Sequence, residues 1–92
     1  MLRVFISGQK YYGAEVLELC IKMEGVEVVG ICYPFGDKHI SAIAKRWNIP
    51  TVTSGTLSAG LMPKNVDLGI TAHSFDYIGK KTRYIPKLGW IG

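Results

Sequence analysis

The 92-residue sequence predicts an α/β protein, a doubly wound, Rossmann-like parallel sheet of about five strands with helices on both faces. Three observations carry this. Residues 1–8 carry Arg3 as their only charge and break at Gly8, and the run otherwise reads as a strand buried on both faces at the centre of a parallel sheet. Strand, helix and strand signals then follow one another within about thirty residues, a βαβ unit whose crossover is right-handed. The same alternation of short apolar runs and helical periodicity continues to the last residues, without repeats or low-complexity linkers.

After the first strand, residues 14–24 place Val16, Leu17, Cys20 and Ile21 on one face, an amphipathic helix that Gly25 ends. Residues 26–32 are β-branched and apolar, the second strand. Tyr33-Pro34-Phe35-Gly36-Asp37 reads as a loop, and Asp37 is placed to cap a second helix running through Trp47, with Ile40, Ile43, Ala44 and Trp47 at helical spacing. Pro50 ends it, because the residue before proline disfavours the α region. Residues 51–53 form a short third strand near an edge, and 56–62 one or two helical turns before Pro63. Residues 66–72 are the fourth strand, breaking at His73-Ser74; 79–85 form a short helix, and 88–91 begin a fifth strand. The sequence closes within that strand, so the domain is expected to be incomplete at its C-terminal end.

Composition bounds the class. An apolar content of 48% excludes a disordered chain, and the length allows one small domain. No apolar run approaches the roughly 18 residues of a membrane span, and Met1 leads straight into a strand, so the expectation is a cytoplasmic protein with no membrane partner. Cys20 and Cys32 fit packed thiols, and His and Cys are otherwise too scattered for a metal set. Of the formal charge of +4, three units lie in residues 75–92, where Lys80, Lys81, Arg83 and Lys87 face Asp76 alone. That is a local feature, not a general attraction to nucleic acid.

Ligands of such sheets bind beyond the carboxyl ends of the strands, where the winding reverses. The turn holding Gly8, Gln9, Lys10, Tyr11, Tyr12 and Gly13 is therefore one wall of a crevice. Its G-x-x-x-x-G spacing lacks the Lys-Ser/Thr of a P-loop, with Ala14-Glu15 following instead. It also lacks the dinucleotide fingerprint and the acid after the second strand, where Cys32-Tyr33-Pro34 stand. A plain βα turn is the simpler reading, with a helix N-terminus at Gly13 still open to an anion. His73 ends the fourth strand, as a ligand contact or a structural residue. His39, near a helix start, is a surface residue. Ser74, Phe75, Asp76, Tyr77 and Ile78 form a polar and aromatic loop that suits a flat heteroaromatic ring, and equally suits a simple turn. Lys80, Lys81 and Arg83 oppose the helix dipole and read as a solvated face.

Taken in series, Leu2-Arg3-Val4-Phe5-Ile6-Ser7-Gly8, Val28-Val29-Gly30-Ile31, the 42–50 segment ending Trp47-Asn48-Ile49-Pro50, Val66-Asp67-Leu68, Ala72-His73-Ser74-Phe75-Asp76-Tyr77-Ile78 and Leu88-Gly89-Trp90-Ile91-Gly92 resemble the N-terminal part of the folate-dependent formyltransferases. That family includes methionyl-tRNA formyltransferase and the sugar N-formyltransferases. The resemblance runs over the whole chain and covers about the first half of such a catalytic domain. It implies transfer of a formyl group from N10-formyltetrahydrofolate to an amine on a sugar nucleotide or an aminoacyl-tRNA, without a metal. It also implies that the loop at Phe75 to Ile78, with His73 and Ser74 at its base, lines the pterin pocket. The turn from Gly8 to Tyr12 would then face the amine or the folate from the other side. The family's catalytic Asn falls where this chain has Gly92, and its H-x-S-L-L-P histidine and later Asp fall beyond it, so no catalytic residue carries over and the chain alone is expected to be inactive. The competing expectation is a non-catalytic α/β ligand-binding or interaction module. In that case a second copy or a missing C-terminal half covers the strand near Trp90.

Overall fold

Alternating apolar strands and amphipathic helices form a five-stranded, all-parallel sheet in the computed structural model, which describes residues 1–74 and 78–92. In chain order the elements are β1 (Leu2–Gly8), α1 (Lys10–Lys22), β2 (Val26–Tyr33), α2 (Lys38–Arg46), β3 (Thr51–Thr53), a 3₁₀ turn (Ala59–Leu61), β4 (Leu68–Ala72), α3 (Lys80–Arg83) and β5 (Trp90–Ile91). The strand order is β3-β2-β1-β4-β5, so β1 is central and the winding reverses between β1 and β4. In register, Val4 meets Leu68 and Gly8 meets Ala72 on one side, while Leu2 meets Val26 and Ser7 meets Cys32 on the other.

Strand alternation splits the core of β1 between two faces. Val4 and Ile6 meet Ile31 and the inner faces of α1 (Ala14, Leu17, Cys20) and α2 (Ile40, Ala44). Phe5 points the other way, into a cluster with Val29, Cys32, Met62 and Val66, flanked by Val52, Leu57 and Trp90. Both cysteines are buried, and the described residues hold no disulfide.

Several elements differ from the sequence expectation. First, α1 begins at Lys10, four residues before the expected start at Ala14, and ends at Lys22 rather than Glu24. Gly13 does not interrupt it, because the missing side chain is what lets the helix lie against the end of β1: a Cβ there would stand 3.0 Å from the carbonyl carbon of Gly8 and 3.1 Å from Ile40 Cδ1. Second, long helices cover only one face. The second face carries the β3-to-β4 crossover, where residues 56–62 yield only the 3₁₀ turn because Gly60 and Pro63 interrupt helical hydrogen bonding. Third, α3 is a single turn and β5 has two residues, both shorter than expected.

Candidate binding crevice

The carboxyl ends of β1 and β4 meet at the reversal of strand order. The Gln9 amide donates to the Ala72 carbonyl at 3.3 Å, and the hydroxyls of buried Ser7 and half-buried Ser74 lie 2.7 Å apart. Gly8 is required at this seam, since a Cβ would stand 2.8 Å from the Ala72 oxygen. His73 follows with a left-handed backbone (φ +58°) and is exposed. Ile78 is half-buried at the far end of the loop. Phe75, Asp76 and Tyr77 lie outside the described residues.

The other expected wall is narrower than the sequence suggested. Lys10, Tyr11 and Tyr12 belong to the first turn of α1 and Gly8 ends β1, which leaves Gln9 alone as the connection. Tyr11 and Tyr12 are exposed. Gln9 is 5% exposed, and its Nε2 has no hydrogen-bond partner among the described residues. A buried amide without an acceptor carries a desolvation cost that a ligand carbonyl would relieve.

The helix start left open to an anion is met by a carboxylate from within the chain. The N-terminus lies at Lys10, not Gly13. The Lys10 N–H donates to Asp37 Oδ2 at 2.7 Å, while Asp37 Oδ1 accepts the Ile40 N–H at 3.2 Å. One carboxylate thus satisfies donors at the starts of both α1 and α2 and ties the two βα turns together. The sequence showed the cap on α2, but the reach from Asp37 to Lys10 spans 27 positions and left no local signal.

Between these turns lies a cleft of about 510 Å³, lined by Gln9, Lys10, Tyr11, Pro34, Phe35, Gly36, Asp37, Lys38 and His39. His39 is exposed, as expected, and its ring sits 4.9 Å from that of Tyr11. The 34–38 wall was missed as a site, because it read only as turn residues. The exposed Lys80, Lys81 and Arg83 of α3 do not line this cleft. Among the described residues no three His, Cys, Asp or Glu side chains are grouped to hold a metal ion. Comparison of the chain with protein-family models and with curated proteins finds no match to either.

Proposed function

We propose that this chain is the folate-facing part of a cytoplasmic formyltransferase. It would contribute to binding N10-formyltetrahydrofolate beside an amine-bearing sugar nucleotide or aminoacyl-tRNA. The observation that supports this most is the seam between β1 and β4. The two stretches that the family pattern assigns to folate and amine, His73-Ser74 and Gly8-Gln9, are neighbours joined by the Gln9–Ala72 and Ser7–Ser74 hydrogen bonds. In this reading His73, Ser74 and Ile78, with Phe75, Asp76 and Tyr77 between them, hold the pterin, and Gln9 offers its amide to a carbonyl across the crevice.

Attack of an amine on a formyl carbon needs a donor for the developing oxyanion and a base for the departing proton. The family pattern puts those groups outside these residues, so the chain binds without turning over. Titration with 5-formyltetrahydrofolate, a stable analogue of the donor, should shift the backbone amides of Gly8, Gln9, His73, Ser74 and Ile78. A formyl-transfer assay on the same sample should give no turnover above background. A folded chain whose amides ignore the folate sinks the folate reading; ordinary enzymatic rates sink the assignment of catalysis to other residues.

A second reading, an interaction module, is favoured by the 84–91 segment. Tyr84 is 74% exposed, Leu88 68% and Ile91 56%, beside the outer edge of β5, which pairs with no strand among the described residues. Light scattering at high micromolar concentration decides it: a dimer supports this reading, and a clean monomer removes it.

A further inference from the structure

A second cleft, of about 450 Å³, lies between α2 and the edge strand β3 and shares Phe35, Gly36, Asp37 and Lys38 with the cleft described above. Its size falls in the roughly 300–1,000 Å³ range of small-molecule sites. One wall is a face of α2 carrying Lys38, Ser41 and Lys45; the other is formed by Thr51 and Thr53, with Tyr33 of β2 in register with Thr53. Lys38 and Lys45 are two helical turns apart, about 10 Å at 1.5 Å per residue. Both are exposed, and neither forms an ion pair among the described residues. The only acid in the lining is Asp37, whose two oxygens already accept from Lys10 and Ile40. The cleft therefore presents two lysines without an ion-pair partner among the described residues, one carboxylate held by backbone amides, and several hydroxyls, for a formal lining charge of +1.

At its mouth stands Phe35, 94% exposed. This ring is not on a loose loop. The Asp37 N–H closes a turn onto the Pro34 carbonyl at 3.1 Å, Gly36 takes the left-handed conformation (φ +90°) that the third position of a type II turn requires, and Asp37 is pinned on both sides. A rigid turn that holds an apolar ring in water beside a cationic, hydroxyl-lined cleft is arranged for a flat base attached to a phosphorylated sugar.

We propose that the α2–β3 cleft binds a nucleoside phosphate, with the base stacked on Phe35, the phosphates on Lys38 and Lys45, and the sugar hydroxyls against Ser41, Thr51 and Thr53. Stacking of bases on exposed aromatic rings and point-charge pairing of lysine with phosphate are the recognition elements used. The site lies beyond β2 and β3, not at the β1–β4 seam, and does not depend on the formyl-transfer reading.

The test is titration of the chain with uridine 5′-diphosphate, read by backbone amide shifts and calorimetry, with uridine and inorganic pyrophosphate as separate arms. The diphosphate should shift amides at 35–38, 41–45 and 51–53 and bind more tightly than either fragment. Phe35→Ala should weaken it about tenfold, and Lys38→Ala with Lys45→Ala about tenfold or more. The matched charge loss Lys80→Ala with Lys81→Ala should leave binding unchanged. All these positions are exposed, so circular dichroism should show every variant folded. Absence of binding, pyrophosphate binding as tightly as the nucleotide, shifts confined to other surfaces, or equal weakening by the α3 variant would each overturn the proposal.

Discussion

Trp90 lies flat over Gly69 of β4, with its ring in the space that a Cβ at Gly69 would take. It also meets Phe5 edge-on at 6.1 Å and donates from Nε1 to the Thr82 carbonyl at 3.3 Å. The last strand is thereby keyed to the sheet through one side chain and one missing side chain. Gly69→Ala forces that ring off its seat and should cost about 1–3 kcal/mol by overpacking. Denaturant unfolding in a Trp47→Phe background, followed by Trp90 emission, reads this directly; an unchanged midpoint would refute the seating. Cys20 offers a second prediction at this scale. Burial raises its thiol pKa above the ordinary 9.0, so between the unfolded and folded values the native state holds a proton that the unfolded chain has released. The stability from this group is complete below about pH 9 and is lost as pH rises through the window above it. Cys20→Ala should flatten the alkaline limb of a stability–pH curve, and an unaltered slope would count against it. The packing of Cys20 on the apolar face of a helix was legible beforehand, and the seating of Trp90 on Gly69 was not. Gly69 read as an ordinary strand residue, and the G-x-x-x-x-G spacing at Gly8 and Gly13, which matches neither phosphate-binding fingerprint, read as a plain βα turn. Its actual role is close contact between a strand end and a helix.

Among the elements, those with an internal signal were the most legible. The spacing of Ile40, Ile43 and Ala44 after Asp37 defines α2 well, and the unbroken apolar run of β1 marks the central strand. Boundaries that depend on tertiary contact were not legible, as at α1, whose first turn is held by Asp37 from another loop. That makes Asp37 the joint between two helices. Asp37→Ala should lose about 1–2 kcal/mol from the cap alone, while Asp37→Asn, which keeps a side-chain acceptor, should lose less. Amide shifts in the substituted protein should concentrate at both Lys10 and Ile40. A disturbance limited to α2 would mean that the link to α1 contributes nothing.

For the whole molecule, the parallel α/β class followed from the sequence, and the unequal cover of its two faces did not. That cover depends on the β3-to-β4 crossover failing to become a helix. The radius of gyration is 11.6 Å, against about 12 Å for a folded chain of this length. The accessible surface of 5801 Å² is somewhat above the roughly 5300 Å² that size scaling gives. Compact dimensions with surplus surface describe a sheet that is well packed at its centre and thinly covered at its margins. β1 pairs on both sides and buries Val4, Phe5 and Ile6, whereas β3 and β5 have three and two residues and one neighbour each. Local opening should follow that gradient. In native-state hydrogen exchange the amides of β1 should be slowest, with protection approaching the global unfolding free energy. Those of β3 and β5 should exchange by local opening at lower cost. Repeating the measurement at several protein concentrations separates a bare margin from a covered one. Protection at Trp90 and Ile91 that rises with concentration while β3 stays constant would mean that a second copy covers the β5 edge. Equal, concentration-independent protection in β1 and β5 would contradict the gradient itself.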